Sequence, residues 1–167
     1  ILKTYLLTFK VALLVTLVCT LLGYPLAFFI AGLPNRWRAI ALLAVVVPFW
    51  TSILVRTYAW LVLLQRRGII NSTLIDWGLI DRPIAFAYNI LGVVIGMSHI
   101  LMPFFILPLY ATMISVDRNY MRAAACLGAG PVRAFWTVYV PLTLPGLAAG
   151  VMLTFVLSLG FYVTPAL

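Results

Sequence analysis

Few side chains in this sequence could carry out chemistry, and most of those stand inside long apolar runs. His99 is the single histidine and directly follows Ser98, a juxtaposition that raises intramembrane proteolysis with Ser98 as nucleophile and His99 as its base. Neighbours at i and i+1 point to different sides of a helix, so the two are poorly placed to form a dyad. His99 alone is a candidate for proton relay or for a hydrogen bond to a neighbouring helix. The two cysteines, Cys19 and Cys126, are far apart and, with one His, support neither a metal site nor a disulfide framework. No GxxxxGK[ST] stretch occurs, so this polypeptide has no phosphate loop with which to cradle a nucleotide. Arg56 is the one formal charge within an apolar run. A charge at mid-bilayer costs roughly 2.5 to 3.5 kcal/mol on insertion scales, so Arg56 must face protein or water. It either lines a polar route together with Thr57, Tyr58 and Trp60, or caps carbonyls near Pro48, or snorkels to the interface.

The elements that would position these residues follow from composition. With 65% hydrophobic and 8% charged residues and a mean hydropathy of +1.17, the solvent of this chain is lipid. The acidic residues are Asp76, Asp81 and Asp117, and the net charge of +8 comes from Lys and Arg flanking apolar runs. These cations are scattered among connectors without a stripe or cluster, which argues against nucleic acid as a partner. The chain begins without Met and stops inside an apolar run at Leu167, so it is expected to be a piece of a longer protein, with further spans at each end.

A bilayer requires about 20 apolar residues per helix, and four stretches meet that length, with spans expected at about 6–31, 39–64, 88–114 and 140–164. The first apolar core is too long for a signal peptide. Pro25, Pro48, Pro103, Pro108, Pro141 and Pro145 fall in or beside these runs. Proline survives in membrane helices where neighbours satisfy the freed carbonyls, so the helices should pack against one another. The connector 33–38 is a tight basic turn. The connector 65–89 is longer and mixed, with room for a short interfacial helix around 71–78. Placing connectors on alternate sides sets Arg36, Arg38, Arg118, Arg122 and Arg133 against Lys3, Lys10, Arg66, Arg67 and Arg82. This is a tie under the positive-inside rule.

The third connector, 115–139, runs into RAAACLGAGPVRAFWTVYVPLTLPG at Arg122 to Gly146, where a plain polar loop would be expected. Ala123, Ala124 and Ala125 favour a helix, Gly128 suits a left-handed cap, and Pro131 suits the first position of a second helix. The reading is two short helices at an angle, with Leu127 exposed on one side and Phe135 and Trp136 on the other, shaped to be gripped by a partner.

This stretch resembles the EAA loop of permease subunits of binding-protein-dependent ABC importers: EAA, three residues, Gly, nine residues, then Ile, any residue, Leu, Pro. The match runs through Ala123, Ala124, Gly128, Val138, Val140 and Pro141 with every spacing intact, and Ala129 follows the Gly. Arg122 replaces the motif Glu, so the acidic contact of the family pattern is not carried over. PFWTSILVRTYAW at Pro48 to Trp60, the Tyr88 to Phe105 stretch and LSLGFYVTPAL at Leu157 to Leu167 are similar to the spermidine/putrescine permease branch.

The resemblance implies an all-α, polytopic membrane helix bundle with a type I (MetI-like) permease core, as one domain over 1–167, in the bacterial inner membrane. It further implies a second permease, two ATP-binding subunits and a periplasmic solute-binding protein as partners. The connector 115–139 would be cytoplasmic and coupled to the ATPase through Arg122 to Pro141. ATP and Mg would be used by that ATPase, with no cofactor on this chain and no enzyme activity of its own. Trp50, Arg56, Tyr58, Trp60, His99 and Tyr162 are the candidate pathway residues. No carboxylate lies within a span to bind a polyamine, so selection would rest with the binding protein, aided by cation–π contact with aromatic faces. An ABC permease for another small solute is the alternative; an ion-coupled secondary transporter would be expected to carry acidic residues in its spans.

Overall fold

A computed structural model describes residues 2–65, 68–78, 80, 82 and 90–163. Among them Leu2–Gly32 forms α1, Asn35–Trp50 α2, Ile53–Leu64 α3, Ile69–Asp76 α4, Ile90–Ser115 α5, Arg118–Cys126 α6, Pro131–Ala134 α7 and Val140–Val163 α8. A π-helical turn, Phe135–Tyr139, joins α7 to α8. No strand occurs among the described residues. Three helices are long and apolar enough to cross a membrane, four if α2 and the bent segment after it count as one span.

Helices α1, α5 and α8 form the core, and their buried faces show why. On α1 the buried positions are Thr8, Val11, Ala12, Val15, Thr16, Cys19, Ala27 and Ile30, a helical stripe of small and β-branched residues. Leu13, Leu17, Leu21 and Phe29 lie on the exposed side. The buried stripe of α8 is almost entirely small: Thr143, Gly146, Gly150, Thr154 and Ser158. Lipid tails are as apolar as leucine, so helices in a bilayer gain most from close backbone approach, which small residues permit. The large side chains come from α5, where Leu101, Phe105, Ile106 and Leu109 are fully buried.

Phe105 fills the notch that two glycines leave. A Cβ on Gly150 would stand 2.8 Å from the Phe105 carbonyl oxygen, and one on Gly23 of α1 would meet the Phe105 ring. The contacts also set direction. Cys19 Sγ reaches the Ser98 carbonyl at 3.6 Å and Gly23 faces Phe105 and Met102, so α1 and α5 run parallel. Gly146 faces Thr112 and Pro108, and Gly150 faces Phe105, so α8 runs antiparallel to them. The connectors 33–38 and 115–139 therefore lie at one end of the bundle, as the alternating arrangement requires.

The second apolar run departs from the expected single span over 39–64. It breaks at Thr51 and Ser52, and α2 meets the segment Leu54–Asp76 at 97°. Proline explains the place: Pro48 near the end of α2 cannot donate to the carbonyl of residue 44 and disfavours continuation. Arg56 stabilises the break. Its Nη2 donates to the carbonyls of Pro48 and Thr51, the latter at 2.9 Å, and its Nε donates to Thr51 Oγ1 at 3.3 Å. The Pro48 carbonyl also accepts the Thr51 N–H and hydroxyl, so the guanidinium joins a cluster of bonds that closes the C-terminal end of α2. The short helix expected around 71–78 is present as α4, which ends at Asp76 and is followed by Gly78 with φ 68. Arg66, Arg67 and Asp81 lie outside the described residues.

Candidate functional site

The connector 115–139 is built almost wholly from local rules. Asp117 caps α6, its Oδ1 accepting the Asn119 N–H at 2.9 Å, which satisfies one of the open donors of the first turn. At the other end Gly128 adopts φ 82. Its N–H donates to the Ala125 carbonyl at 3.0 Å, and the Ala129 N–H donates to the Ala124 carbonyl at 3.0 Å. This pair of bonds is the Schellman motif, with Gly128 at the left-handed position that a Cβ would strain. Ala124 is buried while Arg122, Ala123 and Gly128 are exposed. Pro131 opens α7 at its first position, as expected.

The second short helix is not separate. Four residues of α7 pass through the π turn straight into α8, so the elbow consists of one free-standing helix, α6, and the base of a long one. The π turn sits just before Pro141, which has no N–H to donate. A one-residue change of hydrogen-bond register is accommodated where a donor is missing anyway. The Val140 N–H still donates to the Phe135 carbonyl.

Phe135 is likewise turned inward, against the expectation that it lies exposed beside Trp136. It stacks on Tyr139 with centroids 5.7 Å apart and meets Phe28 of α1 edge-on at 5.3 Å. Tyr139 also meets Phe28 edge-on at 5.3 Å, and Tyr24 lies edge-on to Phe135 at 6.5 Å. Such pairs contribute about 0.5–1.5 kcal/mol each beyond burial. The exposed apolar residues of the elbow are Leu127 at 89%, Val132 and Trp136. Val138, Val140 and Ala129 are half-buried, and Pro141 is exposed.

The sequence that builds this capped stub helix on the root of a long membrane helix matches a known family over most of the chain. The family model described as "Binding-protein-dependent transport system inner membrane component" matches residues 20–167. The chain belongs to this family. It is a multi-pass inner membrane chain, and its α-helical bundle is the one the resemblance implied. The permease is 40% identical over 156 residues to the spermidine/putrescine transport system permease protein PotB of Escherichia coli K12, covering 93% of this chain and 57% of that protein. The PotB of Haemophilus influenzae is 40% identical over 91% of this chain and 54% of its own length. The inner membrane ABC transporter permease protein YdcU of E. coli K12 is 34% identical over 96% of this chain and 55% of its own. The chain thus spans about half the length of the curated relatives it matches.

The remaining site candidates of the permease scatter. Arg56 is buried and committed to the carbonyls at the α2 break. Trp60 and His99 come together edge-on, 5.6 Å between ring centroids, where α3 meets α5. Trp50 and Tyr58 are exposed, at 85% and 70%. The Tyr162 side chain lies outside the described residues. Ser98 is buried whereas His99 is exposed, so the dyad is absent. The residues missed from sequence are Tyr24, Phe28 and Tyr139, which with the inward-turned Phe135 tie the elbow to α1. Their signal was two aromatic pairs at i, i+4, one on each segment.

Proposed function

We propose that this chain is the core of a transmembrane permease subunit of an ATP-driven importer of polyamines, spermidine and putrescine being the favoured cargo. It pairs with a second permease, takes solute from a periplasmic binding protein and is driven by two cytoplasmic ATP-binding subunits that use ATP and Mg. The similarity to PotB over nine-tenths of the chain supports the cargo. The single observation that carries the coupling is the elbow itself: Leu127 at the capped end of α6, Val132 of α7 and Trp136 of the π turn are exposed, and α6 packs on the π turn at the root of α8. A push on Arg122, Ala123, Ala124, Gly128 or Ala129 passes through Val138, Val140 and Pro141 into α8. From there the small-residue seam hands it to α5 and α1. The energy comes from the partner, since the sequence contains no phosphate loop.

Two measurements test this reading. Cells with the full-length protein and its transport system should take up labelled spermidine and putrescine, and cells lacking it should not. Uptake of molybdenum instead would favour a different cargo, in line with 38% identity to the molybdenum transport system permease protein ModB of E. coli K12 over 62% of the chain. Cys126 is exposed on α6 and should react with a membrane-impermeant thiol reagent only from the cytoplasmic face. Labelling from the periplasmic face would overturn the coupling.

A further inference from the structure

At the end of the bundle that carries the elbow, α1, α2, α5, α6 and the π turn enclose an open cavity of about 460 Å³. Its wall includes Phe28, Phe29, Arg38, Ile114, Arg118 and Tyr139. Arg38 is held in place by its own chain: Nη2 donates to the carbonyls of Ala31 and Leu33, each at 3.0 Å. Its Nε is buried and has no acceptor among the described residues. Arg118 opens α6 and is exposed. The neighbouring carboxylate, Asp117, is turned to its own helix, accepting from the backbone N–H and the side-chain amide of Asn119. Arg36, Arg122 and Arg133 belong to the same end, so cations outnumber acids there. The rim is of another kind, since Phe29 and Ile114 are 64% and 49% exposed and continue the apolar outer surface of α1 and α5.

We propose that this cavity binds the phosphate-bearing headgroup of an anionic phospholipid. Neither guanidinium has a carboxylate partner among the described residues, and such a pair suits a phosphate because planar N–H donors match its oxygens. Basic pockets between membrane helices are suited to such headgroups. The apolar rim decides between sources of phosphate: Phe29 and Ile114 offer surface to acyl chains, which a soluble anion lacks. The proposal rests on the membrane placement of the chain and is independent of cargo and of ATPase coupling.

Native mass spectrometry of the full-length protein in detergent, with added phosphatidylglycerol or phosphatidylcholine, tests it. Phosphatidylglycerol should be retained and phosphatidylcholine lost. Arg118→Gln should lower phosphatidylglycerol affinity about fivefold, the contribution of one surface cation. Arg118→Lys should keep most of it, and Arg36→Gln, an exposed cation outside the cavity wall, should leave it unchanged. Equal retention of the two lipids, or equal losses in Arg118→Gln and Arg36→Gln, overturns the site. Displacement of phosphatidylglycerol by an equal concentration of inorganic phosphate assigns the cavity to a soluble anion and overturns the lipid.

Discussion

The Tyr24 hydroxyl lies 3.0 Å from Thr143 Oγ1 and joins α1 to α8 inside the bundle. Thr143 gives its own proton to the Val140 carbonyl, 2.9 Å away, so Tyr24 is the donor. The bond falls one turn beyond the π turn, close to where α8 leaves the elbow. The bond thereby ties α1 to α8 close to the elbow.

Tyr24→Phe removes this donor and keeps the ring. Interhelical hydrogen bonds in membrane proteins average about 0.6 kcal/mol, so the variant should lose stability by about that amount. Reversible unfolding in mixed micelles measures it. A loss beyond about 2 kcal/mol would mean that the hydroxyl holds more than Thr143.

Gly150→Val should be far more damaging. The new Cβ would press on the backbone of Phe105 rather than on a flexible side chain, and overpacking typically costs about 1–3 kcal/mol. Gly160→Ala meets nothing within 4 Å and serves as the comparison. The expected outcome is a large drop in folded yield on size-exclusion chromatography for Gly150→Val alone.

Gly128→Val places a β-branched residue at φ 82, a conformation that costs roughly 1–2 kcal/mol for residues bearing a Cβ. The cap of α6 should open while membrane insertion is retained. Uptake and ATPase stimulation in the assembled transporter should be lost, and Gly128→Asn, which tolerates the left-handed region, should retain most of both. Full uptake by Gly128→Val would show that the elbow is not a rigid coupling element.

Arg56→Gln separates capping from cargo handling. Hydrogen bonds from a charged donor contribute about 1.5–3 kcal/mol, and the carbonyls of Pro48 and Thr51 would lose that donor. Folded yield and thermal stability should fall while the KM for solute in the surviving protein stays unchanged. A shift in KM at unchanged stability would return Arg56 to the pathway.

What could be read from residues alone was whatever depends on the chain's nearest neighbours. Gly128 at a left-handed cap and Pro131 at a helix start are backbone rules that act within a few residues, and both hold in the structure. The long apolar runs named the solvent for the same reason, since hydropathy sums over a local window. The EAA spacing likewise identified the family, because that pattern is a local property of one connector.

Tertiary contact decided the rest. Phe135 turned inward because Phe28 of α1, more than a hundred residues away, offers it a ring edge. The second run broke just after Pro48, near the end of α2, where Arg56 reaches back to the Pro48 and Thr51 carbonyls, a closure that hydropathy does not report. Gly146 and Gly150 of α8 form a close packing surface because Thr112, Pro108 and Phe105 of α5 are placed against them. The cavity between Arg38 and Arg118 likewise exists only because α1 and α5 end where α2 and α6 begin. Burial and pairing belong to residues distant in the chain, so the fold had to bring them together before their roles could be seen.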